Sequence, residues 1–330
     1  MLPDEVNHAL SGKNVLVTGG TGMVGRQIVR RALDAGAAVR VASLDDVRPF
    51  PAASYVRADL TDPTSCAEAV RDMDFVFHVA GIKGSVEVTK SKPASFFVPL
   101  LLMNANVLEA SRRAGIRRLV YTSSIGAYPS REEFREDDAW DGDPMDTYPG
   151  WAKRMGELQI RAYREQYGLD AFSVVRLTNV YGPGDNFDPK SAMVVGSLIH
   201  RIYSGEDPLV VWGDGSAVRE FAYSGDIARG VMLALHHGTG GQVVNLGTGR
   251  GTTIRELVET LAEIVPFRFA FDASKPSGFA RRVMDITRAR ETLGYEPQTS
   301  LREGLEETWR WYQEHHGEHE RKVDYFRESA

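Results

Sequence analysis

The stretch Val17 to Gly25, V-T-G-G-T-G-M-V-G, decides the fold. A short apolar run, Val15 to Val17, leads into Gly19, Gly22 and Gly25, and an amphipathic segment, Val24 to Ala35, follows. Read as strand, turn and helix, each glycine has a task. One permits the tight turn, one lets backbone approach a pyrophosphate, and one lets helix and strand pack closely. The helix N-terminus then directs unpaired N–H groups and partial positive charge at the phosphates. Gly19, Thr21, Gly22, Met23 and Gly25 are therefore expected to hold a dinucleotide.

The first half alternates apolar runs with helical periods. Val39–Ala42, Tyr55–Ala58, Phe75–Val79, Arg118–Thr122 and Val174–Arg176 read as strands, with helices over Ser65–Asp72, Leu101–Ala114 and Trp151–Tyr167. This alternation predicts an α/β fold: a doubly wound parallel (Rossmann) sheet with right-handed crossovers. From Tyr181 the run YGPGDNFDP marks a long loop. A smaller mixed α/β C-terminal domain is expected to follow, and Val243–Leu246 to return to the main sheet. Residues 1–180 with about 222–248 are assigned to the sheet domain, and about 181–221 and 249–330 to the substrate domain. The tail from His315 reads as charged and frayed.

Bulk properties narrow the function. The 330 residues are 42% hydrophobic, enough to bury a sizeable core. A net charge of -6 and a pI near 5.8 argue against a nucleic-acid partner. The longest uncharged apolar stretch, Phe96 to Met103, is far short of the ~20 residues that a membrane span needs, so no membrane partner is expected. The polar lead Pro3 to Lys13 has no signal-peptide profile, and a cytoplasmic location is expected. Cys66 is the single cysteine and reads as an inert helix residue. His315, His316 and His319 lie in a polar tail without carboxylates to complete a cage, so no metal site is expected.

Ligands of parallel sheets lie at the carboxyl ends of the strands. An acidic residue after the second strand would bond the ribose hydroxyls of NAD, and an arginine there would accept the extra phosphate of NADP. Ser43 aligns with the usual acid, and Asp45 and Asp46 follow it. Their charge would repel a 2′-phosphate and favours NAD. Arg48 leaves NADP open. Asp59, in R-A-D-L, is placed to meet the adenine amino group.

After the fifth strand comes T-S-S-I-G-A-Y-P, and then T-Y-P-G-W-A-K. With VTGGTGMVG, RADL, HVAG at 78–81 and RLTNVYGPGDNF, these motifs resemble the extended short-chain dehydrogenase/reductase family over nearly the whole length. The resemblance implies a nicotinamide cofactor also touched by Leu60, Val79, Ala80 and Lys153. It further implies a tyrosine acid/base, Tyr148, a lysine that lowers its pKa, Lys153, and a serine that holds the reacting oxygen, Ser124. The chain departs from the family in one respect. Four residues separate Tyr148 from Lys153 instead of three, and Pro149 takes the usual tyrosine position. Proline is favoured at the first helical position, so Tyr148 is expected to cap the helix with its ring over the cofactor.

The second half narrows the resemblance to GDP-fucose synthase-like GDP-sugar enzymes. It carries GPGDNFDPKSAMVV, LVVWGDGSAVREF and FDASKPSGFARRVMDITRARETLGYEP. The resemblance places nucleotide-sugar contacts at Asn179, Met193, Val194, Trp212, Arg219, Lys275 and Arg281, with Arg282 beside them. The Cys and His that such enzymes use to epimerise beside a ketone fall on Gly126 and Met193. The carboxylates of related dehydratases fall on Ile125 and Gly126. None of these carries a proton at neutral pH. Hydride transfer at C4 of a GDP-linked hexose or heptose is left: as dehydrogenase, 4-ketoreductase or 4-epimerase. Two alternatives stay open, a GDP-fucose synthase using other residues and a catalytically silent nucleotide-binding scaffold. The resemblance also implies a homodimer through the helices at 101–114 and 151–167.

Overall fold

The apolar runs of the first half lie side by side in the computed structural model, which describes residues 2–82, 84 and 86–323. The chain opens with α1 (Asp4–Leu10), β1 (Asn14–Thr18), α2 (Met23–Asp34), β2 (Ala38–Ser43), β3 (Ser54–Arg57) and α3 (Pro63–Val70). Then come β4 (Phe75–His78), α4 (Val86–Ser91), α5 (Pro93–Arg113), β5 (Arg118–Ser124), β6 (Glu133–Phe134), α6 (Thr147–Tyr167) and β7 (Phe172–Leu177). They lead to β8 (Asn179–Tyr181), α7 (Val194–Tyr203), β9 (Leu209–Trp212), β10 (Val218–Arg219), β11 (Phe221–Tyr223), α8 (Ser224–His237) and β12 (Val243–Leu246). The remainder is β13 (Thr252–Thr253), α9 (Ile254–Ile264), β14 (Phe269–Asp272), β15 (Arg281–Met284), α10 (Thr287–Leu293) and α11 (Leu301–His315).

Seven strands form one sheet in the order β12-β7-β5-β4-β1-β2-β3. Every pairing in it is parallel. The order reverses between β1 and β4, which opens a crevice at their carboxyl ends. Helices cover both faces, so strand residues such as Val15, Leu16 and Val17 are fully buried. As expected from the sequence, Val243–Leu246 returns to this sheet, beside β7. Three small sheets, β13-β10-β15-β6, β11-β8 and β14-β9, lie outside it. A separate apolar cluster including Phe187, Leu198, Leu257 and Tyr312 packs among α7, α9 and α11.

The polar lead contains a helix, α1, which buries Val6 and Leu10. Two expectations are corrected. The helix expected from Leu101 begins at Pro93, eight residues earlier, and carries Pro99 inside it. Pro99 masks its apolar periodicity in the sequence, and tertiary burial of Phe96, Leu100 and Met103 overrides the local penalty. By length and composition α5 could cross a membrane. Here Phe96, Leu100, Met103, Val107 and Leu108 pack in the core under the sheet, while Val98 and Leu102 are exposed. Secondly, the tail as far as Val323 folds back instead of fraying, and its last residues, 324–330, lie outside the described residues. Glu318 is buried and pairs with Arg26 at 2.5 Å, and the Val323 N–H donates to Asp45 Oδ1 at 2.9 Å.

One polar network crosses this apolar packing. Arg176 on β7 donates to Glu157 on α6 through Nε at 2.9 Å and Nη2 at 2.6 Å. Ser123 Oγ donates to the same carboxylate at 2.5 Å. Arg176 Nη1 reaches the Tyr128 hydroxyl at 3.0 Å and the Glu136 carbonyl at 2.8 Å. Tyr128 in turn donates to Asn245 Oδ1 on β12 at 2.6 Å. Arg176→Met would leave the Glu157 carboxylate buried and uncompensated, and is expected to destabilise the fold by about 3–5 kcal/mol. Denaturant titration with an unchanged m-value reads that loss.

Candidate active site

A cavity of about 560 Å³ lies at the carboxyl ends of the strands. Its first wall is the glycine turn. Gly19 takes φ +66°, a region open to glycine at little steric cost. A side chain at Gly25 would collide with the Gly19 carbonyl. Gly22 caps α2 without a side-chain hydrogen bond, and the first turn of α2 holds no acidic residue. An uncapped helix N-terminus against such a close turn suits a dinucleotide pyrophosphate. Thr21, Gly22, Met23 and Gly25 line the cavity with Gly19, as do Ser43, Asp45, Asp59, Leu60, Val79 and Ala80.

Asp45 accepts from Thr21 Oγ1 at 2.7 Å, which places one carboxylate at the end of β2. Asp46 does not join it. It lines a separate groove with Arg48 and Arg26, because the loop after β2 turns it away from the cleft. Asp59 accepts from the Thr61 N–H at 2.9 Å and hydroxyl at 2.7 Å. Lys322, which reads in the sequence as part of a frayed tail, lines the cavity and donates to the Gly184 carbonyl at 2.8 Å. Only the long-range fold of the tail could reveal it.

The floor is built by β4, β5 and α6. His78 is buried between Thr18 Oγ1 at 2.8 Å and Asn104 Oδ1 at 3.1 Å. Burial, then the nearby Lys153 charge, push its pKa down to about 3, so the ring is neutral. With Nε2–H donating to the Asn104 carbonyl oxygen, Nδ1 accepts from Thr18. Lys153 Nζ donates to the Thr122 carbonyl at 2.8 Å, above the Tyr121 ring. Burial brings its pKa down to about 8. Ser124 lines the cavity on the next strand positions, with its Oγ accepting from the Gly126 N–H at 3.1 Å.

Tyr148 is not among the residues that line the cavity. Its side chain is 46% exposed and packs edge-on against Phe97. Helix α6 begins at Thr147, so Pro149 is its third residue and Tyr148 stands inside the first turn. The five-residue separation from Lys153 turns the two side chains apart, because five steps of a 3.6-residue helix are about 500°. Asp146 and Thr147 line the cavity instead.

At the other end Asn179, Met193 and Val194 line the cavity as expected, and Asn179 Nδ2 donates to the Glu220 carbonyl at 3.1 Å. Trp212, Arg219, Lys275 and Arg281 are not among its lining residues. Trp212 is 63% exposed with Lys275 near its ring. Alternation along β15 exchanges the two arginines: Arg282 enters the cavity and Arg281 is exposed. Arg219 Nη1 donates to the Val218 and Phe279 carbonyls at 2.8 and 2.6 Å. Burial and the adjacent Arg282 charge lower its pKa. Arg282 Nε is itself buried without a hydrogen-bond partner among the described residues. Two crowded guanidiniums with an unused donor suit an anion.

The tail histidines are occupied otherwise: His315 stacks on Trp311, and His316 packs against Tyr203. The His319 side chain lies outside the described residues. Glu5, His236 and His237 bring possible ligand atoms within 4.8 Å of one another on α1 and α8, and such surface groups are common without an ion.

Fold and cleft together define a dinucleotide-dependent oxidoreductase of the short-chain type. Residues 15–247 match the NAD dependent epimerase/dehydratase family, and the chain belongs to it. A probable GDP-L-fucose synthase 1 of Oryza sativa subsp. japonica is 34% identical over 318 residues, 92% of this chain and 93% of that protein. A dTDP-4-dehydro-6-deoxy-D-allose reductase of Streptomyces bikiniensis is 31% identical, over 92% of this chain and 98% of that one. A dTDP-glucose 4,6-dehydratase of Streptomyces venezuelae, solved with NAD bound, matches with TM-score 0.78 and 27% identity over 92% of this chain and 98% of that chain.

The Lys153 ammonium should lose its proton as pH rises through about 8. Dinucleotide affinity, followed by fluorescence titration, is expected to fall above that pH, and Lys153→Met to remove the step. An unfolded lysine titrates near about 10.4, so between these values the unfolded chain binds more protons and stability should rise with pH. Lys153→Met removes that rise too.

Proposed function

We propose that this enzyme moves a hydride to or from C4 of a GDP-linked hexose or heptose. The nicotinamide dinucleotide supplies or accepts the hydride when bound. NAD is the cofactor this reading favours, because the Asp45 carboxylate stands at the end of β2, where an extra phosphate would be repelled. Ser124 holds the reacting oxygen, and Lys153 places a positive charge beneath the site. The observation that carries the reading is Arg282, half-buried in the cleft beside Arg219, with a buried Nε that has no hydrogen-bond partner among the described residues. A sugar diphosphate supplies an acceptor oxygen for Arg282, and its negative charge offsets the repulsion between the two arginines. Nucleotide sugars also stand in the names of the similar enzymes of Oryza and Streptomyces.

Gly126 and Met193, at the positions where relatives would carry a Cys and a His, offer no proton. A GDP-fucose synthase that recruits other residues is the competing enzyme reading, and the names of similar proteins favour it. Exposed Val98, Leu102 and Tyr167 on α5 and α6 support a homodimer through those helices.

Incubation with GDP-4-keto-6-deoxymannose and reduced cofactor in heavy water separates the two. Reduction at C4 with no deuterium at C3 or C5 is the expected result, read by mass spectrometry. Deuterium at either carbon supports the epimerising alternative. Arg282→Met is expected to weaken GDP binding by about tenfold or more, given about 1.5–3 kcal/mol for a charge-assisted bond.

A further inference from the structure

We propose that Asp146 is the catalytic residue that exchanges a proton with the reacting sugar oxygen. The inference rests on the C4 hydride-transfer reading. Hydride transfer at a carbonyl carbon leaves charge on oxygen unless a positioned acid supplies a proton. Tyr148 does not line the cleft, and Pro149, four residues before Lys153, has no proton to give. Where β5 and α6 meet the cavity, Ser124, Asp146, Thr147 and Lys153 carry exchangeable protons.

Asp146 is held there by construction. It occupies the cap position of α6, yet its side chain makes no capping hydrogen bond. A side chain at Gly126 would overlap the Asp146 carboxylate, so the glycine makes the space that the carboxylate fills. The Asp146 N–H donates to the Gly126 carbonyl at 3.3 Å. A side chain at Gly150 would strike that same carbonyl, which clamps the start of α6 on the turn at Ile125–Ala127. Thr147 follows with φ +47°, a strained setting for a β-branched residue of the kind concentrated at functional sites. The Asp146 side chain is 42% exposed toward the cleft; its partial desolvation raises its pKa, opposed by Arg282 at 3.8 Å. Arg282 on β15 is the charged group that faces it. The turn at Ile125–Ala127 and Pro144 present none, and Lys153 lies two turns along α6.

In the reducing direction the hydride pair forms the new C–H bond, and the carbonyl π pair moves to oxygen. That oxygen takes the proton of the Asp146 carboxyl, which is left as carboxylate and regains a proton from water. In the oxidising direction the carboxylate accepts the hydroxyl proton as the hydride departs to the oxidised nicotinamide.

The test compares Asp146→Asn with Tyr148→Phe in the full chain. Asp146→Asn is expected to lower kcat about a hundredfold or more with KM little changed, and to remove one limb of the pH profile. Tyr148→Phe should cost less. Infrared difference spectra on loading the protein with GDP-sugar and dinucleotide should show an Asp carboxyl band that Asp146→Asn removes. Wild-type turnover in Asp146→Asn, or a carboxyl spectrum identical in that variant, overturns the proposal. A wild-type protein that transfers no hydride with any GDP-sugar overturns the C4 reading instead, and the infrared comparison still decides whether Asp146 meets the ligand.

Discussion

The buried pair between Glu157 and Arg176 is the constraint on which the site depends. Both side chains are almost wholly removed from water, at 3% and 1% exposure. Two such charges are tolerated because the ligation is nearly complete: the carboxylate accepts from the Arg176 guanidinium and Ser123, and the guanidinium also reaches Tyr128 and Glu136. A pair like this adds little net stability over an apolar replacement, but it permits one arrangement of its neighbours. Lys153 lies one turn before Glu157 on α6, on the same face. Ser124 directly follows Ser123 on β5. Anchoring Glu157 to β7 and Ser123 therefore sets the distance between the lysine and the serine of the cleft.

Close backbone approach is the second constraint, and glycines provide it twice. At Gly25 a helix meets the turn that precedes it, and at Gly150 another helix meets the turn after β5. In the first case the gap admits a phosphate toward the α2 N-terminus. In the second it brings a carboxylate over Gly126. The same device, a missing side chain against a carbonyl, thus shapes two walls of one cavity, at the glycine turn and at the start of α6.

The sheet was legible in the sequence because its strands are short apolar runs buried on both faces, a pattern that depends on local residues. The return of Val243–Leu246 could be read for the same reason. The start of α5 could not, since Pro99 contradicts locally what burial of Phe96 and Leu100 stabilises globally. Motif positions placed Ser124, Lys153, Asn179 and the glycine turn in the cleft. They failed for Tyr148, where one extra residue in the spacing rotates a helix face, and for Arg281, where a strand reverses its neighbour. Lys322 and the Asp146–Gly126 contact arise from chain segments that meet only in the fold.

Arg282 joins these observations. It lies 3.8 Å from Asp146 and crowds Arg219, so one guanidinium faces both a carboxylate and a second cation. An anion arriving between the two arginines would relieve their repulsion and draw the Arg282 charge away from Asp146. Loss of that partner favours the protonated carboxyl, because the desolvation that raises its pKa then acts less opposed. Diphosphate binding beside Arg282 would in this way favour the acid form of the neighbouring Asp146 carboxyl. Such a coupling would run through a single side chain, Arg282.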